Sequence, residues 1–270
     1  MWLCFAVGSA FFAGITAVLA KIGIQTVNST LATAIRTVVV LIFSWLLVFV
    51  VGSQAQILQI TGTTLCFLIL SGLSTGASWL CYFRALQLGN VNKVAPIDKS
   101  STVLTILLAF LLLGEPISTG QVFGVLGIGI GTLLMISKKE EEKDRPQQRG
   151  WLAFAVLSAL SASLTSIFGK IGVEHIESNL GTAIRTLVVL VMAWLMVFLT
   201  GEQKKIRMID GKSRIFLFLS GITTGLSWLC YYHALQDGPA SVVVPIDKLS
   251  IAVTVVFSGI VLKERLSRKA

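Results

Sequence analysis

Long apolar runs, with no alternation, organise this chain. Windows nearly free of charge recur from one end to the other, and about twenty apolar residues in a helix cross the roughly 30 Å hydrocarbon core of a bilayer. They predict nine spans, at 2–20, 31–52, 65–86, 94–113, 119–137, 151–169, 180–200, 215–236 and 242–262. The period-two pattern of a membrane β-barrel is absent, so the expected fold is an all-α integral membrane protein. The first run opens at Met1–Trp2 with no basic stretch before it and no small-residue cleavage site after it. It is read as a retained span, not a signal peptide.

A shift of 149 residues lays the chain on itself without a gap, from Trp2/Trp151 to Ser118/Ser267, with about half of the paired positions identical. "LATAIRTVVVL" pairs with "LGTAIRTLVVL", "SGLSTGASWLCYFRALQLG" with "SGITTGLSWLCYYHALQDG", and "VAPIDKSSTVLT" with "VVPIDKLSIAVT". The unit holds five spans. An odd number forces two tandem copies into opposite orientations, the inverted arrangement of many secondary transporters. Three segments follow: 1–137 with five spans, a linker at 138–149, and 150–270 with four. The second copy stops where the first enters its fifth span, so a tenth helix is missing from the expected set.

Composition sharpens this. Hydrophobic residues make up 54% and charged ones only 13%, and mean hydropathy is +0.84, whereas soluble domains carry about a quarter charged residues. The net charge of +9 sits mostly beside the spans. With the N-terminus outside, the cytoplasmic segments hold Lys21, Lys93 and the basic residues of 138–149, 204–214 and 263–269, against Lys170 alone on the other side. The positive-inside rule therefore favours an external N-terminus. These charges are orientation signals, so no nucleic-acid partner is expected, and "KKEEEKDRPQQR" is a charged cytoplasmic linker. The four cysteines lack metal or disulfide spacing. No metal and no cofactor is called for.

Polar residues inside the spans are the candidate chemistry. Asp98, Ser101 and Thr105 share one helical face, as do Asp247, Ser250 and Thr254, while the apolar positions between them drift from copy to copy. Two readings of "PIDK" stand. In one, Pro opens a helix, the acid complements its dipole, and Lys99 and Lys248 snorkel to the interface. In the other, the ionisable pair faces a cavity, the usual place for charge within a membrane. The third and eighth spans carry Ser71, Thr75, Ser78, Trp79 and Tyr82, repeated as Ser220, Thr224, Ser227, Trp228 and Tyr231. Their aromatic residues line a cavity or pack and anchor. Gly72/Gly76 and Gly221/Gly225 are spaced for close helix packing. The first and sixth spans repeat a small polar line, Ser9, Ala13 and Thr16 with Ser158, Ala162 and Thr165. Arg36 and Arg185, each in "TAIRT", sit about one and a half turns into their spans, where they snorkel or bind an anion. The Gly-rich fifth span is a packing surface through which a homodimer is possible. No nucleotide-binding loop or catalytic signature occurs, so no catalytic residue is assigned and an enzyme is not expected.

The two five-span repeats, "LGEPIS" after the fourth span and the small-residue-rich third span resemble the drug/metabolite transporter superfamily, specifically its EamA domain. "AIRT", "SWLCYFRALQ" and "APIDK" resemble a prokaryotic subgroup in which one five-span unit is a whole protein. The resemblance implies a helical bundle in the prokaryotic plasma membrane, with a central cavity built from the first, third and fourth helices of each half. It implies alternating-access export of small metabolites such as amino acids or drug-like compounds. Asp98 and Asp247 are then candidates for proton coupling or for a cationic group, and Lys99 and Lys248 for an anionic one. Trp79, Tyr82, Trp228 and Tyr231 would line the pocket. A first rival is translocation of a lipid-linked anionic group held by Arg36 and Arg185. A second is a non-transporting membrane scaffold.

Overall fold

The computed structural model describes residues 1–24, 26–89, 94, 97–127 and 150–261. Every regular element among them is helical. In chain order these are α1 (Trp2–Gly23), α2 (Ser29–Val51), α3 (Gly62–Leu88), α4 (Ser101–Leu113), α5 (119–127), α6 (Trp151–Val173), α7 (Ser178–Thr200), α8 (Gly211–Asp237), α9 (Ala240–Lys248) and α10 (Ser250–Val261). Among the described residues, seven stretches are long and apolar enough to cross a membrane: α1, α2, α3, α6, α7, α8 and the run Ala240–Ile260 made by α9 and α10. Residues 97–99 are helical ahead of α4. The rest of the expected fourth and fifth spans, and the charged segment 138–149, lie outside the described residues.

Helix ends follow local chemistry, and they do so in pairs. The Asn28 carboxamide accepts from Thr30 N–H at 2.8 Å to start α2, and the Glu177 carboxylate accepts from Leu180 N–H at 3.1 Å to start α7. Both helices stop at a glycine in the left-handed region, Gly52 (φ 79°) and Gly201 (φ 72°), a conformation that costs a side-chain-bearing residue about 1 kcal/mol. Short 3-10 turns follow at Ser53–Gln59 and Glu202–Met208. Thr61 caps α3, and Asp210 caps α8 through Ser213 N–H. Asp210 also accepts from the Thr26 hydroxyl at 2.6 Å. These donors hold its carboxyl well below the usual carboxylate range.

Packing runs between the halves. α1 lies antiparallel to α8: Gly23 meets Leu217 near the start of α8, and Gly238 beyond its end meets Trp2. α3 lies antiparallel to α6 in the same way, with Gly172 on Leu68 and Gly89 on Trp151. α2 packs on α7. The 149-residue shift maps α1–α8 and α3–α6 onto each other and α2–α7 onto itself. Glycine makes the approach possible. A Cβ at Gly72 would stand 2.7 Å from the Val188 Cβ, and one at Gly221 would stand 2.6 Å from the Val39 Cβ. The bundle buries hydroxyls within its apolar core and is apolar outside: Ser9, Ser71, Ser158, Ser220 and Thr182 are fully buried, as are Leu31, Leu68, Leu180 and Leu217, while Phe49, Val50, Phe123 and Val191 face outward. Small hydroxyl residues drive helix association where lipid replaces water.

The last described span is broken. α9 begins at Ala240 because Glu115, from the first half, accepts both Ala240 N–H (2.7 Å) and Ser241 N–H (2.9 Å). α9 ends at Lys248, Leu249 makes the break, and α10 begins at Ser250. Pro245 is therefore inside α9, and Asp247 lies in its last turn, not in the opening turn of the span. The helix-start account of "PIDK" is corrected for this copy. The physical reason is the cap at Glu115, which starts the helix five residues before the proline.

Candidate functional site

Where the halves meet, α3 and α8 bring their tryptophans to a shared wall. A cavity of about 280 Å³ is lined by Ala13 of α1, Thr75, Ser78 and Trp79 of α3, Ala162 and Thr165 of α6, Arg185 of α7, Trp228, Tyr231 and Tyr232 of α8, and Asp247 and Lys248 of α9. A second cavity of about 240 Å³ is lined by Thr33, Arg36, Thr37, Trp79, Phe83, Thr224 and Trp228. Trp79 and Trp228 belong to both, so the two cavities adjoin across the indole rings.

The arginines are the most constrained polar groups. Arg185 is 3% exposed. Its Nε donates to the Ser71 hydroxyl at 2.9 Å and its Nη2 to the Thr75 hydroxyl at 2.6 Å. The guanidinium carbon lies 5.1 Å from the Trp228 ring centre and 4.8 Å from that of Tyr232, within range of cation–π attraction. Nη1 is buried and has no hydrogen-bond partner among the described residues. Arg36, its repeat counterpart, donates through Nη2 to the Thr224 hydroxyl at 2.8 Å and leaves Nε unpartnered.

The aspartates reach into the opposite half. The Ser9 hydroxyl donates to Asp247 at 2.5 Å, and the Ser158 hydroxyl donates to Asp98 at 2.7 Å. Ser9 is about 10 Å from the start of α1, counting about 1.5 Å per residue. Both carboxylates thus sit within the bilayer span. Serines 227 and 78 complete the two clusters, each beside its α1 or α6 serine.

Of the expected site residues, Trp79, Trp228, Tyr231, Arg185, Asp247 and Lys248 share the first cavity, and Arg36 lies in the second. Tyr82 packs instead on the cluster of Ala85, Val94 and Ala155, and Lys99 is exposed. Ser101 and Thr105 are buried, Thr105 donating back to the Ser101 carbonyl. Thr254 does the same to Ser250 and faces Gly14 of α1. These four hydroxyl residues pack α4 and α10 and are not among the residues lining either cavity.

Two important groups were passed over in the sequence. Tyr232 is buried against Arg185, and its copy is Phe83. The added hydroxyl in one copy was the available signal. Glu115 was visible only as part of "LGEPIS", with no role until its helix partner was in place.

Comparison with known proteins agrees with this architecture. A transporter described as uncharacterized, from the cobO 3' region of a Sinorhizobium species, is 47% identical over 134 residues. The match takes up 50% of this chain and 95% of that protein, which is therefore about the length of one repeat. A solved crystal structure superposes with a TM-score of 0.78 at 17% identity, covering 97% of this chain and 89% of the other, a likeness of fold. The EamA-like transporter family matches twice, over residues 1–137 and 149–270. With both halves matched separately and helices fit to cross a bilayer, this multi-pass membrane protein belongs to the EamA-like transporter family.

Proposed function

We propose that the protein is a secondary active transporter that exports small metabolites, such as amino acids or drug-like compounds, across the plasma membrane by alternating access of two inverted halves. The observation that carries this reading is the unequal state of paired residues. Arg185 is fully buried with two hydroxyl partners, whereas Arg36 is half-buried with one. Asp247 lines the cavity and Asp98 does not. Two similar halves held in different states are what a transporter caught on one side of its cycle requires, since exchanging the two states exchanges the open side. Repeat units of five spans, an external N-terminus and nine spans in all belong to the same proposal, supported by the antiparallel α1–α8 and α3–α6 pairs. The length of the Sinorhizobium relative supports one repeat as the evolutionary unit.

Asp98 and Asp247 are the coupling carboxylates in this reading. Each accepts from a serine of the opposite half, so a change in protonation alters a contact between halves. The test is counterflow in proteoliposomes over a labelled metabolite panel, with and without a pH gradient, using the parent and Asp98→Asn, Asp247→Asn. Gradient-driven flux of some class is expected for the parent and is lost in the double variant. Rates equal to those of protein-free vesicles for every class would remove the transporter reading.

A further inference from the structure

We infer that the central cavity takes a small organic anion, its carboxylate or phosphate held by Arg185 and its flat apolar body lying against Trp79 and Trp228. The inference rests on the transporter reading for what the ligand is doing there, and on Arg185 for what the ligand is.

The argument starts from charge. Removing a guanidinium from water costs several kcal/mol, repaid only by good geometry and an opposite charge. Arg185 is 3% exposed and has no acidic group within ion-pair distance among the described residues. Its two bonded nitrogens face neutral hydroxyls, and the rings of Trp228 and Tyr232 return only part of the cost. Nη1 remains buried and unpaired. Charged side chains inside a membrane ordinarily pair or mark a ligand pathway, and this one borders a cavity with room for a partner.

The remaining walls fix the sign and shape of the partner. Lys248 adds a second cation, and the single carboxylate, Asp247, is already held by Ser9. The lining is therefore net positive. A planar guanidinium suits an oxyanion, which accepts two parallel bonds. Two indole rings give a flat ligand its apolar faces. A volume of about 280 Å³ falls at the small end of ligand sites, so the ligand is smaller than a typical drug. On the far side of the indoles, Arg36 offers its unpartnered Nε. An anion leaving Arg185 would meet a second guanidinium there, one repeat away.

The test uses the full chain in detergent, with benzoate and phenyl phosphate as anionic probes, benzylamine as a cation of matched size and benzyl alcohol as the neutral control. A ligand that binds the folded state raises its unfolding temperature, and only the two anions are expected to do so. Their relative strength separates carboxylate from phosphate. Arg185→Gln should weaken the anions about tenfold to a hundredfold, the worth of a charge-assisted hydrogen bond, and Arg185→Lys should recover part of it. Should Arg185→Gln not fold, the parent alone decides, by quenching of its tryptophan fluorescence with nitrobenzoate against nitrobenzylamine.

Benzylamine binding as well as benzoate overturns the inference, as does the lack of any effect from either anion. Displacement of both anions by a short-chain phosphatidic acid would assign the oxyanion to a lipid and overturn the small-molecule assignment. Liposome flux separates this inference from the reading beneath it. Benzoate that binds while no metabolite class crosses removes the transporter and keeps the anion site. Benzylamine that crosses while benzoate does not keeps the transporter and removes the anion site.

Discussion

Gly72→Ala tests whether the α3–α7 approach sets the arginine geometry. The new methyl carbon would stand 2.7 Å from the Val188 Cβ, 2.8 Å from its Cγ1 and 3.1 Å from the Arg185 carbonyl oxygen. Ordinary contact begins at 3.4 Å, so the helices must part by close to 1 Å. Overpacking of this kind costs about 1–3 kcal/mol. The same movement stretches the bonds from Arg185 to Ser71 (2.9 Å) and Thr75 (2.6 Å), which flank Gly72 on α3. A lost bond to a charged group adds about 1.5–3 kcal/mol. The total, about 2.5–6 kcal/mol, corresponds to a fall in unfolding temperature of roughly 5–25 °C for a chain of this size. Thermal unfolding of the detergent-purified protein reads this directly. Gly221→Ala, aimed at Val39, should cost a similar amount. Gly124→Ala is the control: among the described residues nothing lies within 4 Å of that site, and alanine gains up to about 1 kcal/mol in helix propensity. Gly72→Ala unfolding at the same temperature as Gly124→Ala would refute the argument, since the close approach would then carry no strain.

Three further outcomes follow from the helix ends. Glu115→Ala removes both acceptors at the start of α9 and should cost about 1–2 kcal/mol, with faster amide exchange over residues 240–244; unchanged exchange there would count against the cap. Lys170→Met deprives the Leu235 and Gly238 carbonyls, each 2.7 Å from its ammonium, and should lower stability by about 1–3 kcal/mol, which a denaturant titration in mixed micelles would detect. Asp210 has a folded pKa depressed by Thr26 and Ser213, so its contribution is present above its unfolded value, about pH 4, and fades as pH falls through the folded value. Unfolding temperature of the parent should drop on acidification below about pH 4 more steeply than that of Asp210→Asn; parallel profiles would show that Asp210 is not responsible.

The seven spans seen among the described residues were legible because each is long and apolar, and α2, α3, α7 and α8 start at caps that recur 149 residues apart. The same register made Trp79 and Trp228 matching candidates for a cavity wall, since α3 and α8 carry matching stripes. What could not be read was the sharing out of partners between copies. "PIDK" looks like a helix start by proline rules, but Glu115, 125 residues before Ala240, moves that start upstream. Tyr82 and Tyr231 are repeat mates, yet one packs in a cluster and the other borders the cavity. Periodicity treats mates as equal, and the difference lies in the state of each half. Arg185 and Tyr232 came together through long-range contact that no local pattern encodes.

The crossed pairing of α1 with α8 and α3 with α6 also bears on how the protein is made. Ribosomes deliver the first half to the membrane before the second exists. Until α6, α8 and α9 arrive, Ser9, Ser71 and Arg36 have none of these acceptors and donors of the finished bundle, namely Ser227 and Asp247, the Thr165 carbonyl, and Thr224. An early half is therefore an adhesive intermediate, with hydroxyls and a guanidinium turned toward lipid or toward any matching half nearby. Biogenesis must either hold it or complete it quickly. In a relative as long as one repeat, the matching half would be a second copy of the same chain.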